Sequence, residues 1–451
     1  MRSEKASLLT FKAIVTVSLM PMWLLLGSLL AFPLGDGHLG RICENESTLD
    51  ALVECIVDSM PGEASEGFFI PTGDTQNDWT QVVSEMLVGD CEAIVLPESL
   101  LGNYTITLFT DAENDLQYCV LKEVADLNED GVVDKGWGTF IVNRTPRRNI
   151  DISVPHPLND SNTGRQGIGI FKNSGARTFT MAGAHRRANG AMSSCQEAFH
   201  VADAAHNVNV FFHRTLEILS AFYNGRGERF NSLQFHGMGT STCAGVNVYL
   251  THGSRTQIPV DGAPIHSLQA NLSARHPSWV VTVPGDTPSC TLAGTTNVQG
   301  RLLNNVPPAD VCTSSAIDAD VTGSFIHIEQ KFDNRAQADW FTAINETFPE
   351  IQSVGNEQAE LPSGRLQEWS VYPNPIGRFS TIEIQFAESE DVSLVLYDAL
   401  GRLLQEVYAG WMYADHVYQI QLHRNKLPAG QYTLVLKGQD FQESQSVFII
   451  R

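Results

Sequence analysis

Between Ile150 and Thr347 short apolar runs alternate with stretches whose apolar residues recur every three or four positions. The runs predict strands over Ile150–Pro155, Thr178–Ala182, Ser232–Phe235, Val246–Leu250, Ser278–Val283 and Phe325–Ile328. The spaced stretches predict helices over Gly164–Asn173, Val210–Phe222 and Gln337–Thr347. Strand and helix in alternation predict an α/β fold, a three-layer domain with a mainly parallel central sheet. After Tyr372 the pattern changes to short runs that alternate residue by residue: Thr381–Phe386, Val392–Tyr397, Val417–Leu422, Gln431–Lys437 and Gln445–Ile450. With turns at Asp398–Arg402 and Leu427–Gly430 between them, these predict a small antiparallel β-sandwich. Residues 361–366, opening Leu361-Pro362-Ser363-Gly364, read as the linker between a domain over 38–360 and one over 367–451. Residues 38–145 show helical spacing at Asp50–Ser59 and a strand at Trp137–Asn143. They otherwise read as an irregular, acidic, cysteine-bearing part of the first domain.

Arg2, Lys5 and Lys12 precede an apolar stretch from Ala13 to Phe32, broken at Pro21 and followed by Gly35-Asp36-Gly37. Basic, apolar and small-polar regions in that order predict a signal peptide over 1–35, with cleavage near Ala31. No later segment is apolar and long enough to span a bilayer. Export changes the reading of the eight cysteines, at 43, 55, 91, 119, 195, 243, 290 and 312. An even count in an exported chain predicts disulfides. Pairing of sequence neighbours is expected: Cys43 with Cys55, Cys91 with Cys119, Cys195 with Cys243, Cys290 with Cys312. No CxxC pair is present, which argues against a thiolate zinc site. Hydrophobic residues make up 43% of the 451 and charged residues 18%, as in a packed globular protein. The formal charge of −22 excludes a nucleic-acid partner, because phosphate binding needs clustered Lys and Arg.

Three of the apolar runs end on residue types found in zinc sites. They are Ile152-Ser153-Val154-Pro155-His156, Ser232-Leu233-Gln234-Phe235-His236 and Ser324-Phe325-Ile326-His327-Ile328-Glu329. Open α/β sheets place their chemistry just past the carboxyl ends of strands, where such residues converge. Catalytic zinc takes three N or O ligands and leaves a position for water. His156, Asp160 and His236 supply that set, with zinc as the expected cofactor. Glu329 is then the base that takes a proton from the attacking water. Pro155 and Pro157 hold His156 on an extended backbone at the sheet end. Of the run His185-Arg186-Arg187, His185 and Arg187 are the expected substrate-binding residues, Arg187 clamping a carboxylate; Arg335 is a further anion clamp. Asp203 and His206 are candidates to support a ligand from behind, since a metal-bound His usually donates its other N–H to a carboxylate. Strand alternation leaves His327 outside this set. Asp126, Asn128, Asp130 and Gly131 copy the opening of a calcium loop, but Trp137 stands where a bidentate acid closes it. An acidic turn leading into the next strand is the reading here. No G-x-S-x-G elbow, phosphate loop or dinucleotide fingerprint occurs.

Two resemblances follow from these residues. Ser370-Val371-Tyr372-Pro373-Asn374-Pro375, Tyr397-Asp398 with Gly401-Arg402, and Leu427-Pro428-Ala429-Gly430-Gln431-Tyr432 occur in order. Residues 367–451 thereby resemble the carboxyl-terminal sorting domain of the bacterial type IX secretion system. That likeness implies an immunoglobulin-like sandwich, the type IX machinery as partner, and export through the outer membrane. Separately, Val154-Pro155-His156-Pro157 with Asp160, Ala182–Arg187, Leu233–Gly237 and Ile326–Glu329 look like the N-formylglutamate amidohydrolase group. More remotely they resemble poly-γ-glutamate hydrolases and zinc carboxypeptidases. The likeness covers roughly residues 148–335 and departs from the carboxypeptidase His-x-x-Glu, offering His156-x-x-x-Asp160. It implies a secreted zinc hydrolase of an amide bond beside a carboxylate: an N-acyl amino acid, a γ-glutamyl linkage or a cell-wall peptide. Esterase or carbohydrate deacetylase chemistry would use the same ligands. A non-catalytic secreted or surface-attached binding protein on the same scaffold is the alternative from another class.

Overall fold

The computed structural model describes residues 42–351 and 366–449, apart from 89–90, 227, 257–263, 399–401, 415, 425–426, 429 and 439–441. The expected signal peptide, linker residues 361–365 and the turn at Ala399–Gly401 lie outside the described residues.

The elements of the first domain, in chain order, are α1 (Leu49–Asp58), α2 (Gly73–Val88), β1 (Tyr104–Thr110), β2 (Gln117–Glu123), β3 (Thr139–Asn143), β4 (Arg148–Val154), α3 (Thr163–Ser174), β5 (Ala176–Met181), α4 (Phe211–Arg226), β6 (Asn231–Gly237), β7 (Val248–Thr251), α5 (Ile265–Arg275), β8 (Val281–Thr282), α6 (Val298–Leu303), β9 (Phe325–Gln330) and α7 (Gln337–Thr347). One nine-stranded sheet runs in the order β1-β2-β3-β5-β4-β6-β9-β7-β8. Its centre, β5-β4-β6-β9, is parallel, while β1, β2 and β3 join antiparallel on one side and β7 pairs antiparallel with β9 on the other. The sheet is therefore mixed around a parallel core.

The stretch 38–145 is not irregular; it builds two helices and three strands of the main sheet. The reason lies in β2, which is covered on both faces. Tyr118 and Val120 enter one apolar cluster and Cys119 and Leu121 the other, so the strand shows no polar alternation. Helices flank both faces. Leu52 of α1, Phe171 of α3, Leu268 of α5 and Trp340 of α7 pack on one side. Trp79 of α2 and Phe211 of α4 stack on the other, with ring centroids 4.2 Å apart.

Strands β6 and β9 each have two unlike faces. Leu233, Phe235, Ile326 and Ile328 enter the apolar cluster. Gln234, His236, His327 and Glu329 alternate with them onto the opposite face. Register pairs Gln234 with His327 and His236 with Glu329, so these four polar side chains form two adjacent cross-strand pairs.

The disulfides are Cys43–Cys55, Cys91–Cys119, Cys195–Cys312 and Cys243–Cys290. The first two follow the neighbour rule. The expected Cys195–Cys243 and Cys290–Cys312 bonds are replaced, because the fold brings the loop after β5 against the segment after α6. Cys195 packs there with Val298, Val306 and Val311.

Among the described residues the second domain holds seven strands: β10 (Leu366–Tyr372), β11 (Phe379–Phe386), β12 (Glu390–Asp398), β13 (Leu403–Met412), β14 (Tyr418–His423), β15 (Gly430–Lys437) and β16 (Gln442–Ile449). They form two antiparallel sheets, β10-β11-β14 and β13-β12-β15-β16, around a core that includes Ile382, Ile384, Leu394 and Leu434. Among the described residues no helix is long and apolar enough to cross a membrane.

Candidate metal centre

The polar face of the parallel core opens past the carboxyl ends of β4, β6 and β9. His156 follows β4 by two residues. The chain then makes a helical turn in which Asp160 N–H donates to His156 C=O at 2.8 Å, which folds the Asp160 carboxylate back toward the His156 ring. This turn is why a four-residue spacing serves here. His236 enters from the end of β6, its ring centroid 5.1 Å from that of His156. The two imidazoles share one carboxylate oxygen: Asp160 Oδ2 lies 3.4 Å from His156 Nδ1 and 3.5 Å from His236 Nδ1.

The far nitrogens decide what those Nδ1 atoms are. His156 Nε2 lies 2.9 Å from Asp203 Oδ1, and an ionised carboxylate only accepts, so Nε2 carries the hydrogen. His236 Nε2 lies 2.8 Å from Gln234 Oε1, which makes it a donor as well. In the neutral tautomers both Nδ1 atoms are then lone pairs aimed at a carboxylate. His156 Nδ1 is buried without a hydrogen-bond partner. Two ring lone pairs and an anion facing one point call for a positive charge among them, either a proton on His156 or a metal cation. One donor atom each from His156, Asp160 and His236 lie within 4.8 Å of one another. Two imidazole nitrogens and a carboxylate, each buried, fit zinc.

Electrostatics follow from the same contacts. Burial opposes the charge on His156, but Asp203 and Asp160 outweigh it and lift its pKa to about 9. Burial also opposes the Asp160 carboxylate. The two adjoining rings overcome that and hold it well below its usual range. For His236, burial and the His156 ring push the pKa down. Glu329 is moved far from normal acid behaviour. Burial, helped by the Asp160 charge, pushes its pKa up to about 8, and its Oε2 is buried with no hydrogen-bond partner.

His327 belongs in the site, contrary to its exclusion on sequence. A strand repeats every two residues, so His327 and Glu329 share a face, with His327 Nε2 3.8 Å from Glu329 Oε1. Its ring centroid is 4.5 Å from that of His236, and its Nδ1 is buried and unpartnered. Gly294 makes room for it: at φ +64° its missing Cβ would stand 2.8 Å from the His327 ring. Donor atoms of His236, His327 and Glu329 also lie within 4.8 Å of one another.

The basic residues divide. Arg187 is more than half exposed and pairs with Glu63 at 3.3 Å. Of the two neighbours it is Arg186 whose charge acts on Glu329 and Asp203, with Arg335 acting more strongly on Glu329. His185 lies at the rim, accepting Arg187 N–H on Nδ1 at 3.1 Å. Arg335 is buried and donates to the carbonyls of Ser161 and Gln330 at 2.5 and 3.2 Å, leaving Nε unpartnered. It reaches that place only because residue 237 is glycine, since a Cβ there would fall 2.0 Å from Nη2. His206 stacks on Phe199 and bonds Gln196 Oε1 at 3.0 Å; burial pushes its pKa down to about 4. The acidic loop lies apart from this cluster and spends its oxygens on itself. Asp126 accepts the N–H groups of Asp130 and Gly131, and Asn128 donates to Asp130. Sequence reasoning missed Arg186 and Gln234; for Gln234 the two-residue step to His236 was the available signal.

Residues 370–451 match the model of the secretion system C-terminal sorting domain. This tail directs the protein through the outer membrane by the type IX machinery, to the cell surface or the medium. No curated protein matches the chain. Two solved structures share limited likeness. Dimeric latent PorU from Porphyromonas gingivalis is 18% identical over 18% of this chain and 9% of its own, with a TM-score of 0.16. The endo-β-1,4-mannanase from Thermotoga petrophila is 10% identical over 55% of this chain and 43% of its own, with a TM-score of 0.14. At those scores neither carries an argument about this chain. What stands is an exported protein made of a mixed α/β domain and a β-sheet sorting tail.

Proposed function

We propose that the α/β domain is a metal-dependent hydrolase of an amide bond beside a carboxylate. In this reading the domain is akin to the zinc carboxypeptidase-like group, and the tail is an immunoglobulin-like sandwich. The observation that carries the proposal is the pair of Nδ1 atoms aimed at one Asp160 oxygen while both Nε2 atoms are engaged behind.

His156, Asp160 and His236 would hold the cation, with zinc the best match to the donor set. Bound there, zinc would supply Lewis acidity toward a carbonyl oxygen and toward water. The remaining chemistry belongs to the chain. Glu329, with a pKa of about 8 and one free oxygen, suits a group that takes a proton and returns it to the leaving amine near neutral pH. Arg186 and the unpartnered Nε of Arg335 offer positive charge to a substrate carboxylate. Arg187, committed to Glu63, is replaced in that role by Arg186. Candidate substrates are N-acyl amino acids, γ-glutamyl linkages and cell-wall peptides.

The test is metal content by mass spectrometry together with a panel of amide, ester and acetyl-sugar substrates. We expect one stoichiometric zinc, lost in His156→Ala. Glu329→Gln should keep the zinc while hydrolysis falls by about 10²–10⁴-fold. Zinc binding with no turnover on the panel would return the domain to a binding scaffold, and full activity in Glu329→Gln would remove Glu329 from the role of proton carrier.

A further inference from the structure

Behind His236 runs a buried chain of three carboxamides. Gln234 Oε1 accepts His236 Nε2–H at 2.8 Å and also accepts Asn297 Nδ2. Gln234 Nε2 donates to Gln299 Oε1 at 3.4 Å. Gln299 Nε2 donates in turn to Ala204 C=O at 2.8 Å, with His213 Nδ1 as a second acceptor at 3.4 Å. At the other end Asn297 Oδ1 accepts Gly300 N–H at 2.8 Å as the cap of α6. All three amides are essentially excluded from solvent.

A carboxamide turned over exchanges its oxygen and its NH2 group with almost no change of shape, so its orientation has to be set by its neighbours. Both ends of this chain are backbone groups that cannot exchange roles. Gly300 N–H only donates, so Asn297 must meet it with Oδ1 and present Nδ2 to Gln234. Ala204 C=O only accepts, so Gln299 must meet it with Nε2 and present Oε1 to Gln234. The two ends demand the same orientation of Gln234, with its oxygen toward His236. Only an acceptor faces the ring.

We propose that this relay fixes the tautomer of His236, protonated on Nε2 with its Nδ1 lone pair held toward Asp160. Gln234 and Asn297 are thereby positioning residues of the metal centre. The purpose rests on the hydrolase reading; the tautomer does not. A misplaced hydrogen on Nδ1 would point at the ligand position and block it, which makes the relay worth testing through both ring and metal.

The experiment is long-range ¹H–¹⁵N correlation on the histidines of the metal-free full chain at mildly alkaline pH, with His236 assigned by loss of its signal in His236→Gln. The wild type should show the Nε2–H tautomer. Gln234→Glu, which as an ionised carboxylate only accepts from the ring, should keep it. In the double variant Asn297→Asp with Gln299→Met one end is reversed and the other released. Its Gln234 should turn its NH2 to the ring, shift His236 to Nδ1–H, and weaken zinc binding by about 10- to 100-fold. A wild type in the Nδ1–H form, or an Nδ1–H signal in Gln234→Glu, overturns the proposal, and either can be read even if the double variant does not fold. A double variant that folds and keeps Nε2–H also overturns it. The expected tautomers with no zinc bound by any variant would sink the hydrolase reading and leave the relay standing.

Discussion

Metal loading should release a proton from His156, and Asp203 should decide how strongly pH matters. In the metal-free protein the His156 pKa stands at about 9, since Asp203 and Asp160 outweigh the effect of burial. His236 is pushed down by burial and is neutral at pH 7, and Asp160 is held ionised. One ligand therefore competes with a proton. At pH 7 about one His156 in a hundred is free to bind, so apparent zinc affinity should lie about 100-fold below its value above pH 9, or roughly 2.7 kcal/mol. Between those limits it should rise about tenfold per pH unit.

Asp203→Asn keeps the shape, and its Oδ1 can still accept from His156 Nε2 and from Ala205 N–H, which now lie at 2.9 and 3.2 Å. It removes the charge. The His156 ring becomes a poorer ligand, by about 10- to 100-fold in affinity, but it also sheds its proton at lower pH. At pH 9.5 the ring is largely unprotonated in both proteins and only the first effect remains, whereas at pH 7 the two oppose each other. Wild type and variant should differ by one to two orders of magnitude at the higher pH and nearly converge at the lower. Competition titrations with a chromophoric chelator measure this. They are best run in the Glu329→Gln background, which silences the second group with a raised pKa. Calorimetry in buffers of different ionisation enthalpy counts the protons. An affinity ratio that does not change with pH, or no proton released at pH 7, would refute the reasoning.

Three further outcomes follow from other parts of the fold. Lys172 of α3 bonds Asp111 at 2.8 Å and Glu113 at 2.6 Å, with Asp50 also in contact, and Asp111 is fully buried. Lys172→Met strands that carboxylate and should cost about 3–5 kcal/mol in urea unfolding; a loss below 1 kcal/mol would contradict it. Asp151 is buried and accepts three hydroxyls, from Thr178, Thr180 and Ser232, while burial pushes its pKa up to about 6. A pKa raised in the folded state favours folding at low pH, so this contribution is full below about pH 4 and fades as pH rises past 6, by about 3 kcal/mol. Asp151→Asn should flatten that part of the stability–pH curve, and an unchanged slope would show that the group titrates normally. Peptide mapping of the unreduced protein should find Cys195 joined to Cys312 and Cys243 to Cys290; a Cys195–Cys243 peptide would contradict the fold.

Much of the parallel core was legible because its strands and helices carry clean periods. Helix α7 runs from Gln337 to Thr347 with the limits its spacing predicts. His156, Asp160 and His236 were legible because strand ends in α/β sheets converge. The misses have physical causes. Alternation fails as a signal in β2, where both faces are buried, so its strand hid in an apparently irregular stretch. At β9 the signal was present and pointed to His327, whose two-residue step to Glu329 sets both on one face. Arg186 and Arg187 differ by one position, and only the loop's path decides that Arg187 is exposed and pairs with Glu63 while the charge of half-buried Arg186 reaches Glu329 and Asp203. The disulfide partners depend on tertiary proximity between residues 117 positions apart, which no local pattern carries.

Asp203 sits on irregular backbone, and Asn297 and Gln299, which set Gln234 of β6, sit at the start of the short α6; both segments are strapped by disulfides. Asp203, behind His156, lies in the loop that starts at Cys195. Asn297 and Gln299, behind His236, lie between Cys290 and Cys312. Cys195–Cys312 ties the first loop to the far side of the second, and Cys243–Cys290 ties the exit of β6 to its near side. The ligands themselves stand at the ends of β4 and β6, which the apolar clusters hold without help. Reduction should therefore loosen the orienting groups before it disturbs the sheet. In a thiol reductant that leaves far-ultraviolet circular dichroism unchanged, zinc affinity should fall, and reoxidation should restore it. Disulfides of this kind persist only outside reducing compartments, so the centre would reach full affinity after export, where the sorting tail sends it. Equal zinc affinity in the oxidised and the fully reduced protein would separate the straps from the site and remove this link between destination and chemistry.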